Sequence, residues 1–413
     1  MAAVFAAPIV LFDLSCLIFA RGRLRSLEAN YFLGIQSIQA RSSFDLGRGY
    51  PRHYFSADSV KGFDISKNTS KTLVSAKPSE SPPYEVWGNS LGCFDEDIRA
   101  GQKYSIYLAG DSFTWGYAPF EYKFGQILEK DLGLAIASCG VSHTGQVHQF
   151  QKFKEISSSL GYYPGLVIVN VYYNDIDNDL SHPHSSVVDG YLVDLVQPKV
   201  LNESTFCLDR YSYGEVAERV RRYRASGEDV DGILGLKASF WQWISQPQRY
   251  SATFLLVREA LQRVSKNLAQ AKACNDYVPL KPPGVYDAMD QLYALKAFHD
   301  YPLNSSIASA SRDAIQSWIN HSKRHNYALI FSFIDIGKPA SFGESFKDYI
   351  HSRGGVAWVF GDALPSRDIG YWNSLRWKND GHFNVKGNIE YARYLRGQIL
   401  NLRDSSGQTG LGN

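Results

Sequence analysis

From Lys103 onward the chain alternates short apolar runs with longer amphipathic segments. The pattern predicts strands at Tyr104–Leu108, Leu134–Ser138 and Leu166–Tyr173, interleaved with helices near Phe120–Lys130 and Gln146–Leu160. Leu166-Val-Ile-Val-Asn-Val-Tyr-Tyr173 is almost continuously apolar, as a strand covered on both faces of a parallel sheet must be. The regularity fails over 181–305, a polar, proline-containing stretch with helical character around Tyr213–Ala225 and Ala252–Ala271. It resumes with a helix at Ile307–His325, a strand at Tyr327–Ile334, a helix at Phe342–Ser352, a strand at Val356–Phe360 and a closing helix over about Val385–Arg403. Strands alternating with helices specify an α/β domain with a parallel sheet. The expected domain therefore comes in two pieces, 101–180 and 306–404, split by an inserted cap at 181–305 and followed by a disordered tail at 405–413. No internal repeat is visible.

Ahead of this region, residues 26–100 carry little periodicity. Ser66-Lys-Asn-Thr-Ser-Lys71 and Ala76-Lys-Pro-Ser-Glu-Ser-Pro-Pro83 read as loops, and Tyr84–Gly92 is the part expected to pack on the main domain. Met1 to Ala20 is nearly all apolar, broken by Pro8, Asp13 and Ser15, and Arg21, Arg23 and Arg25 follow directly. Residues 1–25 are expected to form a membrane-anchoring or signal-like helix, near the minimum length for a span. Asp13 near its centre costs about 2.5–3.5 kcal/mol on insertion scales. Neither a basic start nor a small-residue cleavage site marks a signal peptide, and Asp13 spoils the sequence before Cys16 as a lipoprotein box.

Composition narrows the functional classes. A formal net charge of +2 over 413 residues creates no field for nucleic acid, which is not an expected partner. The five cysteines, Cys16, Cys93, Cys139, Cys207 and Cys274, lack C-x-x-C spacing, so neither zinc nor a dense disulfide framework is expected. Aromatic residues make up 14% of the chain, and rings of this kind often hold sugars, although most serve core and rim packing.

The candidate chemistry lies at strand ends. Tyr104-Ser-Ile-Tyr-Leu-Ala-Gly110-Asp111-Ser112 is a strand stopping abruptly before a helix-compatible segment, which puts the Ser112 hydroxyl where open α/β sheets bind ligands. Gly110 permits a tight turn, and the N–H groups beyond the serine are free to face an anion. Asn174, in Tyr173-Asn-Asp-Ile-Asp177, follows the third strand. Asp380 and His382, in Asn379-Asp-Gly-His-Phe-Asn384, precede the last helix on a loop returning to the same sheet edge. Serine hydrolysis needs this set: a nucleophile, a base, a group orienting the base and donors for the oxyanion.

Gly110-Asp-Ser-Phe-Thr-Trp-Gly116, Val171-Tyr-Tyr-Asn-Asp-Ile176 and Asp380-Gly-His-Phe-Asn-Val-Lys-Gly387 together resemble the SGNH, or GDSL-type, hydrolase superfamily, in its bacterial branch with a C-terminal Asp-x-His block. Asn89-Ser-Leu-Gly92 is similar to a lead-in of that branch, and the likeness covers about 85–180 and 325–402. It implies a flavodoxin-like α/β/α sandwich with about five parallel strands. It also implies Ser112 as nucleophile, His382 as base, Asp380 as the base's partner, and an oxyanion hole of the Ser112 N–H, a glycine N–H and the Asn174 side chain. The second block departs from the family pattern: Ser138-Cys-Gly140-Val-Ser-His143-Thr-Gly145 puts His143 where relatives carry the donating glycine. The second donor is therefore open among Gly140, His143 and Gly145. Where many relatives place aspartate three residues before the histidine, this chain has Asn379.

The expected function is a membrane-associated serine esterase acting on an O-acyl group of a small molecule, carbohydrate or cell-envelope polymer, without metal or organic cofactor. The alternatives are an O-acyltransferase using the same site and an inactive sugar-binding or assembly protein. The chemistry suits a periplasmic domain, whereas Arg21, Arg23 and Arg25 argue for a cytoplasmic one, so orientation is open. Other groups read more plainly. Asp175, Asp177 and Asp179 are expected on a solvated loop, His182-Pro-His184 lacks partners for a metal, and Arg219, Arg221, Arg222 and Arg224 are expected on a solvated helix face.

Overall fold

The computed structural model describes residues 50–51, 53–74, 81–180, 182–183, 185–188, 190–202, 205–210, 212–214, 217–218, 276–279, 309–335, 340–378 and 381–406. The expected helix at 1–25 and most of the cap, including all of the helical stretch at 252–271 and most of that at 213–225, lie outside these residues. The first described strands pair antiparallel, β1 (Phe55–Asp58) with β2 (Gly62–Ile65) and β3 (Thr72–Val74) with β4 (Tyr84–Val86). Then follow β5 (Ile106–Gly110), α1 (Ser112–Trp115), α2 (Phe124–Leu132), β6 (Ile136–Ser138), α3 (Gln146–Leu160), β7 (Leu166–Val171) and α4 (Asp175–Leu180). Beyond them β8 (Ser185–Val188) pairs with β9 (Tyr191–Asp194), and β10 (Val196–Asn202), β11 (Thr205–Arg210) and β12 (Asp276–Pro279) form an antiparallel sheet. The main domain resumes with α5 (Ser309–His325), β13 (Ala328–Phe333), α6 (Ala340–Ser352), β14 (Val356–Val359), α7 (Ile369–Ser374) and α8 (Val385–Ser406).

The central sheet has five parallel strands in the order β14-β13-β7-β5-β6. Counted in chain order this is the doubly wound arrangement 2-1-3-4-5, whose switch point lies between β5 and β7. Side chains alternate across the strands, so each strand feeds two cores. Tyr107, Val167, Val169 and Phe331 pack against Phe153 of α3, Trp318 of α5 and Ile350 of α6. Ile106, Leu108, Ile168 and Ile330 meet Leu128 of α2 and Tyr391, Leu395 and Ile399 of α8 on the other face. The expected three-layer α/β/α architecture is present.

Several boundaries differ for local reasons. β5 extends to Gly110 because that residue pairs with Asn170 of β7, a contact no local pattern announces. The helix expected over Phe120–Lys130 breaks into a single 3-10 turn at Phe120–Tyr122 and α2, because Lys123 is extended (φ −68°, ψ 139°). Gly133, in the left-handed region at φ 65°, then ends α2.

The segment before β5 carries more structure than its weak periodicity suggests. Tyr50, Tyr54, Phe55, Phe63, Val86, Trp87 and Phe94 form a third core that also takes in Trp115, Tyr117 and Val141 beside the candidate site. Trp115 Nε1 donates to the Tyr54 hydroxyl at 2.9 Å, and the Tyr50 and Tyr117 hydroxyls are hydrogen-bonded. Val187 and Leu192 of the β8–β9 hairpin pack into the same core. Cys93 and Cys139, 46 positions apart, form a disulfide.

A buried ionic cluster docks β2 onto α3. Asp64 pairs with Lys61 at 2.9 Å and with Lys152, and Lys61 also reaches Glu155. Burial opposes ionisation of Asp64, but Lys152 and then His148 and Lys61 hold its carboxyl down at about 2. Burial pushes His148 down to about 4, so the ring is neutral when Nε2 donates to Phe63 O at 2.8 Å. His148 therefore contributes stability that is complete above about pH 6.5 and is lost as the pH falls through 4. Urea unfolding between pH 7 and 4 should show stability falling by up to about 1.4 kcal/mol per pH unit from this residue, and His148→Gln should flatten that slope. Asp64→Ala, which leaves the buried Lys152 without its paired carboxylate while Lys61 keeps Asp58 and Glu155, should cost about 3–5 kcal/mol by the same assay.

Candidate active site

β5 delivers the chain to the switch point, and Gly110 turns it. Its φ of 154° disfavours a side chain, and a Cβ there would overlap Thr114 Oγ1 and press on Asn170 O. Asp111 caps the following helix: its Oδ1 accepts the Phe113 N–H at 2.9 Å. Ser112 is thereby the first residue of α1, only 5% exposed, at the carboxyl edge of the sheet.

His382 arrives from 270 positions away, and its Nε2 lies 2.8 Å from Ser112 Oγ. The loop carrying it is fastened on both sides. Trp377 N donates to His382 O at 2.9 Å and Asn384 N to Leu375 O at 3.0 Å. The Asn384 side-chain amide donates to Ser374 O and Arg376 O, while its Oδ1 accepts the Gly387 N–H in the first turn of α8. Aromatic rings flank the imidazole: Tyr117 lies at 4.5 Å and Phe113 at 5.0 Å between centroids. Trp377 Nε1 fixes the Tyr117 backbone by donating to its carbonyl at 2.9 Å. The Ser112 hydroxyl also lies 3.2 Å from Asp111 Oδ2, so its one proton has a choice of acceptors, the nearer being His382. Asp380 and Asn379 lie outside the described residues.

Asn174 comes to the same edge as the residue that opens α4, and Asn178 N donates to its carbonyl at 2.9 Å. Its side chain hydrogen-bonds the Asp111 carboxylate, while its Oδ1 has no hydrogen-bond partner. Asp111 thus contacts both the serine expected to act as nucleophile and the amide expected to face the oxyanion. Burial raises its pKa, opposed by the Phe113 N–H, the His382 charge, Ser112 and Asn174.

The loop after β6 supplies the remaining donor candidates. Cys139 N donates to Leu108 O and Val141 N to Gly110 O, so the loop prolongs the sheet alongside the serine turn. Gly140 lies so close to α1 that a Cβ would overlap Trp115 N and the Thr114 backbone. Gly145, the third candidate, instead abuts Asp179 and the Asp175 carbonyl. His143 adopts φ 64°, the left-handed conformation that glycine meets without strain. This chain therefore places an imidazole at a turn position where glycine would be unstrained.

The expectation of a solvated loop for the nearby aspartates is overturned. Asp175, Asp177 and Asp179 lie on α4, and Asp175 and Asp179 are buried. Asp175 Oδ2 accepts from the amides of Gln146 (2.6 Å) and Gln149 (3.3 Å). Asp179 accepts the Val147 N–H at 2.8 Å, capping α3 from a different helix, and the Ser311 hydroxyl of α5 at 2.6 Å. Burial first, then the charges of Asp111 and Asp179, raise Asp175 well above the usual carboxylate range, and burial pushes Asp179 up to about 7. No local pattern marks such a cap, because acceptor and helix are 32 positions apart. Among the described residues no cluster of histidine, cysteine or carboxylate side chains is placed to hold a metal ion, and no helix is long and apolar enough to cross a membrane. His182 is half-buried, and His184 lies outside the described residues.

No protein-family model matches the chain, and no curated protein matches it. Among solved structures, a proposed lipolytic protein of the G-D-S-L family from Desulfitobacterium hafniense DCB-2 aligns at 11% identity with a TM-score of 0.33, covering 70% of this chain and 97% of its own.

Three substitutions separate side-chain from main-chain donation under the expected esterase chemistry. Asn174→Ala should lower kcat on an activated ester by about 10²–10³-fold with little change in KM. His143→Gly should leave kcat within about threefold, because the N–H and the turn survive, whereas His143→Val should lose more than about tenfold through strain at positive φ.

Proposed function

We propose that this chain is a serine esterase of the SGNH type that cleaves an O-acyl ester. One observation carries the reading: the 2.8 Å approach of His382 Nε2 to Ser112 Oγ at the switch point of a doubly wound sheet. In this mechanism Ser112 Oγ attacks the ester carbonyl as its proton passes to His382 Nε2. The oxyanion is met by the Asn174 amide and by backbone N–H groups from Ser112 and from the Gly140–His143 loop. The imidazolium then protonates the leaving alcohol. Water, deprotonated by the same imidazole, releases the acid and restores the serine. Asp380 is assigned to orient His382.

The substrate class proposed is an acylated carbohydrate or cell-envelope polymer. A disulfide between buried cysteines fits a domain that matures in an oxidising compartment, which supports an extracytoplasmic site tethered through the apolar N-terminus. Transfer to a sugar hydroxyl instead of water is the second reading, favoured by the 5% exposure of Ser112.

The test is covalent labelling with a fluorophosphonate alongside hydrolysis of short-chain nitrophenyl esters. Wild type should label and turn over, and Ser112→Ala should do neither. Absence of Ser112-dependent labelling in folded protein would leave a binding role. Addition of a saccharide acceptor distinguishes the two catalytic readings, since faster acyl transfer than hydrolysis identifies the transferase.

A further inference from the structure

The loop Cys139–Gly145 holds the backbone donor candidates, of which Gly140 and His143 lie clear of the Asp179 contact that Gly145 makes, yet β6 before it is a three-residue edge strand. A strand that short cannot by itself hold a loop to the tolerance that oxyanion binding requires, where an error of about 1 Å costs about 10²-fold. The loop is restrained on three sides. Towards β5, Cys139 N and Val141 N bond Leu108 O and Gly110 O. Towards α4, Asp175 and Asp179 fix the start of α3 directly after Gly145. On the outer side the restraint is covalent: Cys139, the residue adjoining Gly140, is joined to Cys93.

Cys93 is itself well anchored. Its N–H donates to Asn89 Oδ1 at 2.9 Å, and its carbonyl accepts from Asn89 N at 2.9 Å. Two residues on, Asp95 Oδ2 accepts the Ser138 N–H at 2.7 Å, and its Oδ1 binds Gln126 Nε2 at 2.7 Å. The bond to Cys139 thus ties the oxyanion loop to a rigid turn outside the sheet. Asp95 keeps the two segments together when the bond is absent, so its loss need not unfold the domain.

We propose that the Cys93–Cys139 disulfide is a positioning element for the oxyanion loop, which makes turnover depend on the redox state of this pair. The inference rests on the esterase reading. Reduction by a dithiol breaks the Sγ–Sγ bond. Two electrons and two protons pass to the cysteines, giving two thiols, while the reductant closes to its own disulfide. No charge enters the site. The cost is imprecision in the Gly140 and His143 N–H groups.

The experiment compares full-length wild type, Cys93→Ser, Cys139→Ser and Cys93→Ala/Cys139→Ala, with circular dichroism and thermal melting as the check on folding. The folded variants should show kcat on a nitrophenyl ester reduced about 10–100-fold at a temperature well below their melting transitions, with KM changed less than about threefold. Should every variant misfold, wild type is titrated with dithiothreitol under native conditions, with thiols counted by alkylation and mass spectrometry. Activity should then fall in step with the Cys93 and Cys139 thiols and return on reoxidation. Unchanged kcat in a folded variant, or in wild type with the pair demonstrably open, would overturn the proposal and leave the disulfide a stability role alone. Oxidised wild type lacking Ser112-dependent turnover would instead overturn the esterase reading, so the two failures are distinguishable.

Discussion

Asp111 is a carboxylate with no access to water at the rim of the sheet, and the rest of the candidate site is arranged around it. Burying such a group unpaired is costly enough that a protein either neutralises it or surrounds it with donors. Here the donors within reach are the Phe113 N–H, the Ser112 hydroxyl and the Asn174 side chain, and His382 lies against the same serine. Three of those residues, Ser112, Asn174 and His382, are ones the sequence expectation placed in a single site. Satisfying one buried anion therefore also brings them together, and the geometry is held by the cost of leaving Asp111 without donors.

The same logic extends outward in shells of buried polar groups. Asn170, in the middle strand, donates to Ala109 O at 2.9 Å and accepts from Tyr391, whose hydroxyl also bonds Ser332 at 2.7 Å. One tyrosine of α8 thus locks β7 and β13 from across the sheet, close to where β5 turns into the serine. On the far side, Asp179 and Asp175 use their acceptors to seat α3, and Asp95 does so for the end of β6. These networks resist slippage because a one-position shift would orphan several groups at once.

Much of this was legible in the sequence, for reasons that can be stated. β7 and α3 stand out because one is a continuous apolar run and the other a long amphipathic segment ended by Gly161 in the left-handed conformation. Ser112, Asn174 and His382 could be placed because each follows a strand or precedes a helix at one sheet edge. What stayed hidden depends on partners far away. The short α1 looks like a turn until Asp111 is seen to cap it. Asp175 and Asp179 look solvated until their distant glutamines, serine and helix terminus are known. The strands before β5 are three or four residues long, too short to carry a period, and their aromatic core closes only with Trp115 and Tyr117. The Cys93–Cys139 pair has no motif, only proximity.

β7 and β13 are hydrogen-bonded neighbours from Leu166↔Ala328 to Val171↔Phe333, although residues 172–327 intervene. Because the excursion leaves and rejoins the sheet at adjacent strands, its length enters the thermodynamics only through a logarithm, at about 0.6 kcal/mol per doubling. α4 at the start of that interval carries Asp175 and Asp179, and α5 at its end carries Ser311 and Trp318, so these stay with the scaffold. Only the stretch between β9 and α5 is accordingly open to exchange for a longer, shorter or unrelated one while Ser112, His382 and their supports stay where they are. Variation in the length of that stretch is thereby uncoupled from the residues gathered at the Ser112 turn.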